Sequence, residues 1–144
     1  MPKPLIHEAV FALAFDLKMA MSDAVKKLDI GLTAPHMRAL RLIWSGDNVT
    51  SQEISKSLRR DKAQVARIVS ELLNRKLVRR TENPDDKRSQ FLVATAKGRE
   101  IFESVAEIEI ELQEAILEGI NAKDVSTFIK VAKQVSQDIR STES

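Results

Sequence analysis

Apolar residues recur at steps of three and four from Leu5 to Leu28, through Ile6, Ala9, Val10, Leu13, Leu17, Ala20, Met21, Ala24 and Val25, which predicts a long amphipathic helix. A helix of about 24 residues is roughly 36 Å long, too long to bury its whole stripe on the core of a small chain. The surplus apolar surface calls for a second chain. After Gly31, Thr33 is placed to cap a second helix with Pro35 in its first turn, running through Met37, Leu40 and Ile43 to Ser45-Gly46.

The next signals are sharper. Thr50-Ser51-Gln52-Glu53 sets a hydroxyl three residues before a carboxylate, so each side chain can satisfy the other residue's free backbone N–H at the start of a helix reaching about Leu58. Asp61-Lys62-Ala63-Gln64 repeats the arrangement, and Val65, Ile68, Val69, Leu72 and Leu73 continue at helical spacing to about Arg75. Only Arg59-Arg60 separates the two, a helix-turn-helix pattern whose second helix can enter a DNA major groove. Val78–Glu82, Asn83-Pro84-Asp85-Asp86 and Ser89–Thr95 then read as strand, turn and strand, a hairpin with a charged tip. Thr95 caps a helix striped by Ile101, Val105, Ile108, Leu112, Ala115 and Ile116, Gly119 breaks it, and Asn121 caps a last helix with Val125, Phe128, Ala132, Val135 and Ile139 on one side.

Composition narrows the class. With 144 residues, 43% hydrophobic and 31% charged, the chain reads as one soluble globular domain, or two small ones sharing helices. Its lack of cysteine excludes disulfides, thiolate metal sites and cysteine nucleophiles or redox sensors. No apolar run approaches the roughly 18 residues a membrane span needs, and Met1-Pro2-Lys3-Pro4 leads into a helix carrying His7, Glu8 and Asp16 rather than an apolar leader, so a cytoplasmic protein is expected. The net charge of +2 hides a split: residues 56–99 hold 13 Lys/Arg against 5 Asp/Glu, a net of +8, leaving 10 basic and 16 acidic residues, a net of −6, elsewhere. A basic middle recruits phosphate, and acidic flanks point away from it.

An enzyme reading has little to hold, and no catalytic residue, metal site or cofactor is expected. The only histidines are His7 and His36, and Gly31, Gly46, Gly98 and Gly119 never cluster as a phosphate loop must. Asp85-Asp86 sits among Lys87 and Arg88, where solvent and cations favour ordinary ionised acids. The basic residues fit another geometry. Lys62, Gln64 and Arg67 face outward if Val65, Ile68, Val69 and Leu72 face the core, and Gln and Arg can read base edges. Ser51, Gln52 and Ala63 join them as expected DNA contacts, with Lys87 and Arg88 at the hairpin tip placed to reach a minor groove. Asp86 is expected to orient the Arg88 guanidinium; the alternative is a solvated turn in which the acids merely start the bend.

Asp61–Arg67, Leu72–Arg80, Asn83-Pro84-Asp85-Asp86-Lys87-Arg88-Ser89 and Thr95-Ala96-Lys97-Gly98 together resemble the MarR family of bacterial winged helix-turn-helix transcription regulators, over nearly the whole chain. The most specific part is the Asp-x-Arg of the wing followed seven residues later by Thr-x-x-Gly. The resemblance implies a homodimer built from the N- and C-terminal helices on a pseudo-palindromic double-stranded operator. It also implies, for many members, release of DNA when a small phenolic or anionic compound binds between the dimer helices and the reading head. Five positions depart from the family pattern. Ala63, Gln64 and Ala66 replace small hydroxyl residues, which predicts a different base preference; Lys76 replaces the glycine that commonly ends the recognition helix; Ala94 replaces a leucine. Lys76 therefore puts a side chain where φ > 0 is expected, leaving that exit strained or rebuilt.

The expected architecture is mainly α with a small β-hairpin wing: a winged helix-turn-helix over 33–95, with dimerisation helices in 1–32 and 96–144. Phe11, Phe15, His36, Met37, Arg41 and Trp44 are candidates to line a pocket for a small aromatic or anionic effector. The expected function is that of a dimeric, sequence-specific DNA-binding regulator, most simply a ligand-responsive repressor. A non-sequence-specific architectural DNA-binding protein and a winged-helix protein–protein interaction module are the alternatives, distinguished by specificity and by salt dependence.

Overall fold

The computed structural model of the chain describes residues 2–143; Met1 and Ser144, the outer ends of the expected dimerisation region, lie outside them. Its elements are α1 (Ile6–Lys26), α2 (Ala34–Ser45), α3 (Ser51–Leu58), α4 (Lys62–Asn74), β1 (Val78–Thr81), β2 (Phe91–Ala94), α5 (Ala96–Ile116) and α6 (Ala122–Thr142). This is the mainly helical winged-helix order expected. Two compact units divide it, Met1–Ile110 and Glu111–Ser144. The division at 32/33 and 95/96 expected from sequence concerns role, and compactness within one chain does not decide role.

In the first unit the core lies in one head built from α2, α3, α4 and the hairpin. Ala39, Leu40 and Ile43 of α2, Ile54 and Leu58 of α3, and Val65, Ile68, Val69 and Leu72 of α4 form one buried cluster with Val49, Leu77, Val78 and Leu92. The three- and four-residue spacing that predicts each helix thus also selects the side it buries. β1 and β2 pair antiparallel, Val78 opposite Ala94 and Thr81 opposite Phe91. The strands are shorter than expected because the tip segment from Glu82 to Gln90 is spent on its own turns. Val49 adds a bridge the sequence did not signal, its carbonyl accepting from the Leu92 N–H at 2.8 Å.

Local chemistry accounts for the helix ends. Thr50 and Glu53 exchange both capping bonds, Glu53 N–H to Thr50 Oγ1 at 3.3 Å and Thr50 N–H to Glu53 Oε2 at 3.1 Å. Asp61 makes half of that arrangement, accepting from the Gln64 N–H at 2.8 Å, which leaves the Gln64 amide available to a ligand. α1 stops at Lys26, short of Leu28, because Leu28 and Asp29 turn back to Val25 and Lys26 and Asp29 takes φ 50°. Gly119, at φ 83°, lies three residues beyond the end of α5 at Ile116.

The exit from α4 settles what Lys76 does. Its φ is 61°, its N–H donates to the Leu73 carbonyl, and the Leu77 N–H reaches back to Leu72 at 2.9 Å. Those two bonds make a left-handed helix stop, closed by contact between the fully buried Leu72 and Leu77. The stop is built normally and a lysine occupies it, at the cost a Cβ incurs in that region. Thr95 then ties α5 to the same stop. Its hydroxyl donates to the Lys76 carbonyl at 2.6 Å and accepts from the Gly98 N–H at 3.1 Å, while its own N–H donates to the Leu77 carbonyl at 3.0 Å. A Cβ on Gly98 would stand 2.1 Å from that carbonyl, so the Thr-x-x-Gly spacing is dictated by backbone approach.

α1 and α6 contrast with the head. Each is 21 residues long and none of those residues is buried. α6, in the second unit, begins at Asn121, whose side chain accepts from the Lys123 N–H at 2.8 Å. No helix among the described residues is long and apolar enough to cross a membrane.

Candidate nucleic-acid interface

The turn between α3 and α4 is made by Arg59 in the left-handed conformation, φ 54°, with the Arg60 N–H closing back onto Ser55 and the Ser55 hydroxyl donating to the Arg60 carbonyl at 2.6 Å. That stop fixes how α4 leaves α3. Because Val65, Ile68, Val69 and Leu72 point inward, the remaining positions divide by helical geometry. Ala63 and Arg67 lie along the crest, whereas Lys62 and Gln64 occupy opposite shoulders, roughly 160° apart at 100° per residue. The side chains of Lys62, Ala63, Gln64, Ala66 and Arg67 are all exposed.

Three of the expected contacts converge. Ser51 and Gln52 of α3 and Lys62 of α4 line a cleft of about 280 Å³, together with Val65, Ala66, Val69 and Arg80. Arg80, on β1, was not among the expected site residues. Arg79 and Arg80 are consecutive in a strand, so they face opposite sides and only one can join the helices; which one does so is set by packing of the whole head.

At the wing, the Asp86 carboxylate accepts from the Arg88 backbone N–H at 3.0 Å. The backbone N–H two residues on lies within reach of a short carboxylate without the side-chain ordering a guanidinium contact demands. Asp86 therefore positions Arg88 by its main chain. Sequence reasoning also missed Asn83, which is 8% exposed. Its amide donates to the Ser89 carbonyl at 2.8 Å and its oxygen accepts from the Asp85 N–H at 3.1 Å, stapling the two arms of the tip. Lys87 lies beside Glu82, Asn83 and Gln90 on the wing surface, and Arg88 is exposed.

The six effector candidates fall into separate groups. Phe11 and Phe15 stand exposed on α1, at 69% and 66%. His36 is buried, its Nδ1 accepting from the Thr33 N–H at 3.3 Å while Nε2 meets Glu71 of α4. Met37 packs on the core. Arg41 pairs with Glu109 of α5 and lies over Phe102, and Trp44 is covered by the Arg99 guanidinium, 4.4 Å from the ring centroid.

Known proteins resemble this head in sequence and in fold. Residues 32–90 match the model of the MarR family, the segment that carries α2, the helix-turn-helix and the wing. Over that segment the chain is similar to the MarR family. Transcriptional regulator HosA of Escherichia coli O111:H- is 26% identical over 104 residues, which cover 72% of this chain and 77% of HosA. A cysteine-to-serine variant of E. coli MarR complexed with operator DNA superposes with a TM-score of 0.77 at 22% identity, covering 90% of this chain and 92% of that one. The S. aureus MepR–DNA complex gives 0.74 at 17% identity over 94% and 99%. The head is self-contained in one chain, while α1 and α6 leave Ile6, Phe11, Phe15, Phe128 and Ile139 among the exposed large apolar residues.

Proposed function

We propose that the chain is a homodimeric, sequence-specific regulator of transcription that binds double-stranded DNA, most simply as a repressor. The observation that carries the reading is the outward face of α4. Lys62, Gln64 and Arg67 stand free on the second helix of a MarR-family helix-turn-helix, inside a segment of net charge +8, with Arg88 held out at the wing. Arg67 with Ala63 is suited to the groove floor, Ser51, Gln52 and Lys62 to one phosphate strand, Gln64 to a base edge on the other shoulder, and Lys87 and Arg88 to the adjoining minor groove.

The dimer is supported by α1 and α6, whose 21-residue lengths bury nothing within one chain. In this proposal they, with α5, are the dimerisation region and residues 33–95 the reading head. Two heads on one duplex face would sit about one DNA turn apart, roughly 34–36 Å. Response to a small aromatic or anionic effector belongs to the same proposal, with the exposed Phe11 and Phe15 supplying apolar surface once a second chain covers α1. The test is selection of duplexes from a randomised pool, followed by salt titration. If each head neutralises about three or four phosphates, log K falls against log salt with a slope of about −5 to −7. A selected sequence insensitive to half a turn inserted between half-sites would overturn the two-headed reader.

A further inference from the structure

We infer that the cleft between α3, α4 and β1 is the seat of a DNA backbone strand, with Arg80 as its phosphate-holding cation and Ala66 as the residue that keeps it open. The inference rests on the DNA-binding reading above and assigns two residues outside the expected contacts. Arg80 is exposed and pairs across the hairpin with Leu92, on the side of β1 that also carries Val78, and Leu92 and Val78 are each 2% exposed. Its stem can therefore lie along the core edge while its charged end stays in solvent, and it lines the same cleft as Lys62. Arg79, one residue earlier, faces the other side of the strand.

The lining has the chemistry of a nucleotide backbone. Two cations, Lys62 and Arg80, and two polar side chains, Ser51 and Gln52, surround a floor of valine and alanine side chains. No carboxylate is among the residues that line it, and the nearby Glu53 is turned to the Thr50 N–H. A phosphodiester supplies the charge that Lys62 and Arg80 lack, and the face of its deoxyribose supplies apolar surface for the floor. Ala66 is exposed on the shoulder of α4 that carries Lys62, so a long apolar side chain there would fill the space the strand needs. A backbone seat carries no sequence information, which separates it from Gln64 on the opposite shoulder.

The test uses the full chain with duplexes it selects from a randomised pool and with shuffled duplexes of the same length. Arg80→Ala is expected to weaken both about tenfold at physiological salt and to lower the salt slope by about two per dimer, one phosphate in each head. Arg80→Lys should recover the slope. Ala66→Leu, which keeps every charge and a strong helix former, should weaken both duplexes by a similar factor, and Ala66→Ser should not. Circular dichroism and the fluorescence of Trp44, the only tryptophan, check that each variant folds; if Ala66→Leu does not, the Arg80 pair decides. Wild-type slope and affinity in Arg80→Ala and Ala66→Leu, alongside a loss in Arg88→Ala, would overturn the seat and leave the DNA reading standing. A wild-type chain that recovers no duplex would overturn both.

Discussion

The reading head and the terminal helices are written in the same code and end in opposite conditions. α4 spends Val65, Ile68, Val69 and Leu72 against α2, α3 and the wing, and all four are buried. α1 repeats the spacing over 21 residues and α6 does so again, yet neither buries a residue. Periodicity thus specifies that a helix has an apolar side; what covers that side is decided by which other surfaces exist. For the head they exist in the same chain. For α1 and α6, large apolar residues such as Phe11, at 69% exposure, and Phe128, at 54%, state the demand for a partner.

The sharpest way to break this comparison is to charge the uncovered sides. Leu13→Glu and Phe128→Glu should leave the secondary structure of the head intact while costing association about 3–5 kcal/mol, because each would bury an unpaired carboxylate between chains. Light scattering across a dilution series reads the outcome. Stable dimers in both variants would mean that the open stripes are not the interface.

Next in size is a change confined to the closed region. Gly98→Ala should destabilise the head by about 3 kcal/mol, since its Cβ meets the Leu77 carbonyl, a backbone atom that cannot rotate away. Chemical denaturation should show the midpoint falling at every protein concentration, unlike the first pair, whose effect dilution would magnify. Arg88→Ala comes third, weakening operator binding by about 1–3 kcal/mol with both dimer and fold unchanged. Mobility-shift titration checks it, and unaltered affinity would remove the wing from the interface.

How much was legible follows the same division between local and distant partners. The Thr50–Glu53 exchange, the Asp61 and Asn121 caps and the left-handed Lys76 were all readable, because each is fixed within three or four residues of chain. The bridge from Val49 to Leu92, the approach of His36 to Glu71 and the placing of Arg80 against Lys62 join residues far apart in sequence. Only packing of the whole head brings them together. Asp86 is an intermediate case, a local residue with two acceptable donors the same two residues away, of which the structure shows the Arg88 backbone N–H engaged. The candidate site was therefore legible along α4 and illegible across the cleft.

The smallest prediction separates stability of the head from everything the head does. Lys76 holds φ 61° at the end of α4, where an L side chain is disfavoured and glycine is not. Its backbone bonds to Leu73 and Thr95 use only N–H and carbonyl, so replacing the side chain preserves both. Glycine would relieve the left-handed cost but enlarge the conformational freedom of the unfolded chain, and the first term exceeds the second at such a position. Lys76→Gly should accordingly stabilise the head by about 1 kcal/mol, read as a raised denaturation midpoint. The proposed association through α1 and α6 should not move, because the change touches neither. A lowered midpoint would show that the lysine contributes more through its side chain than its backbone conformation costs.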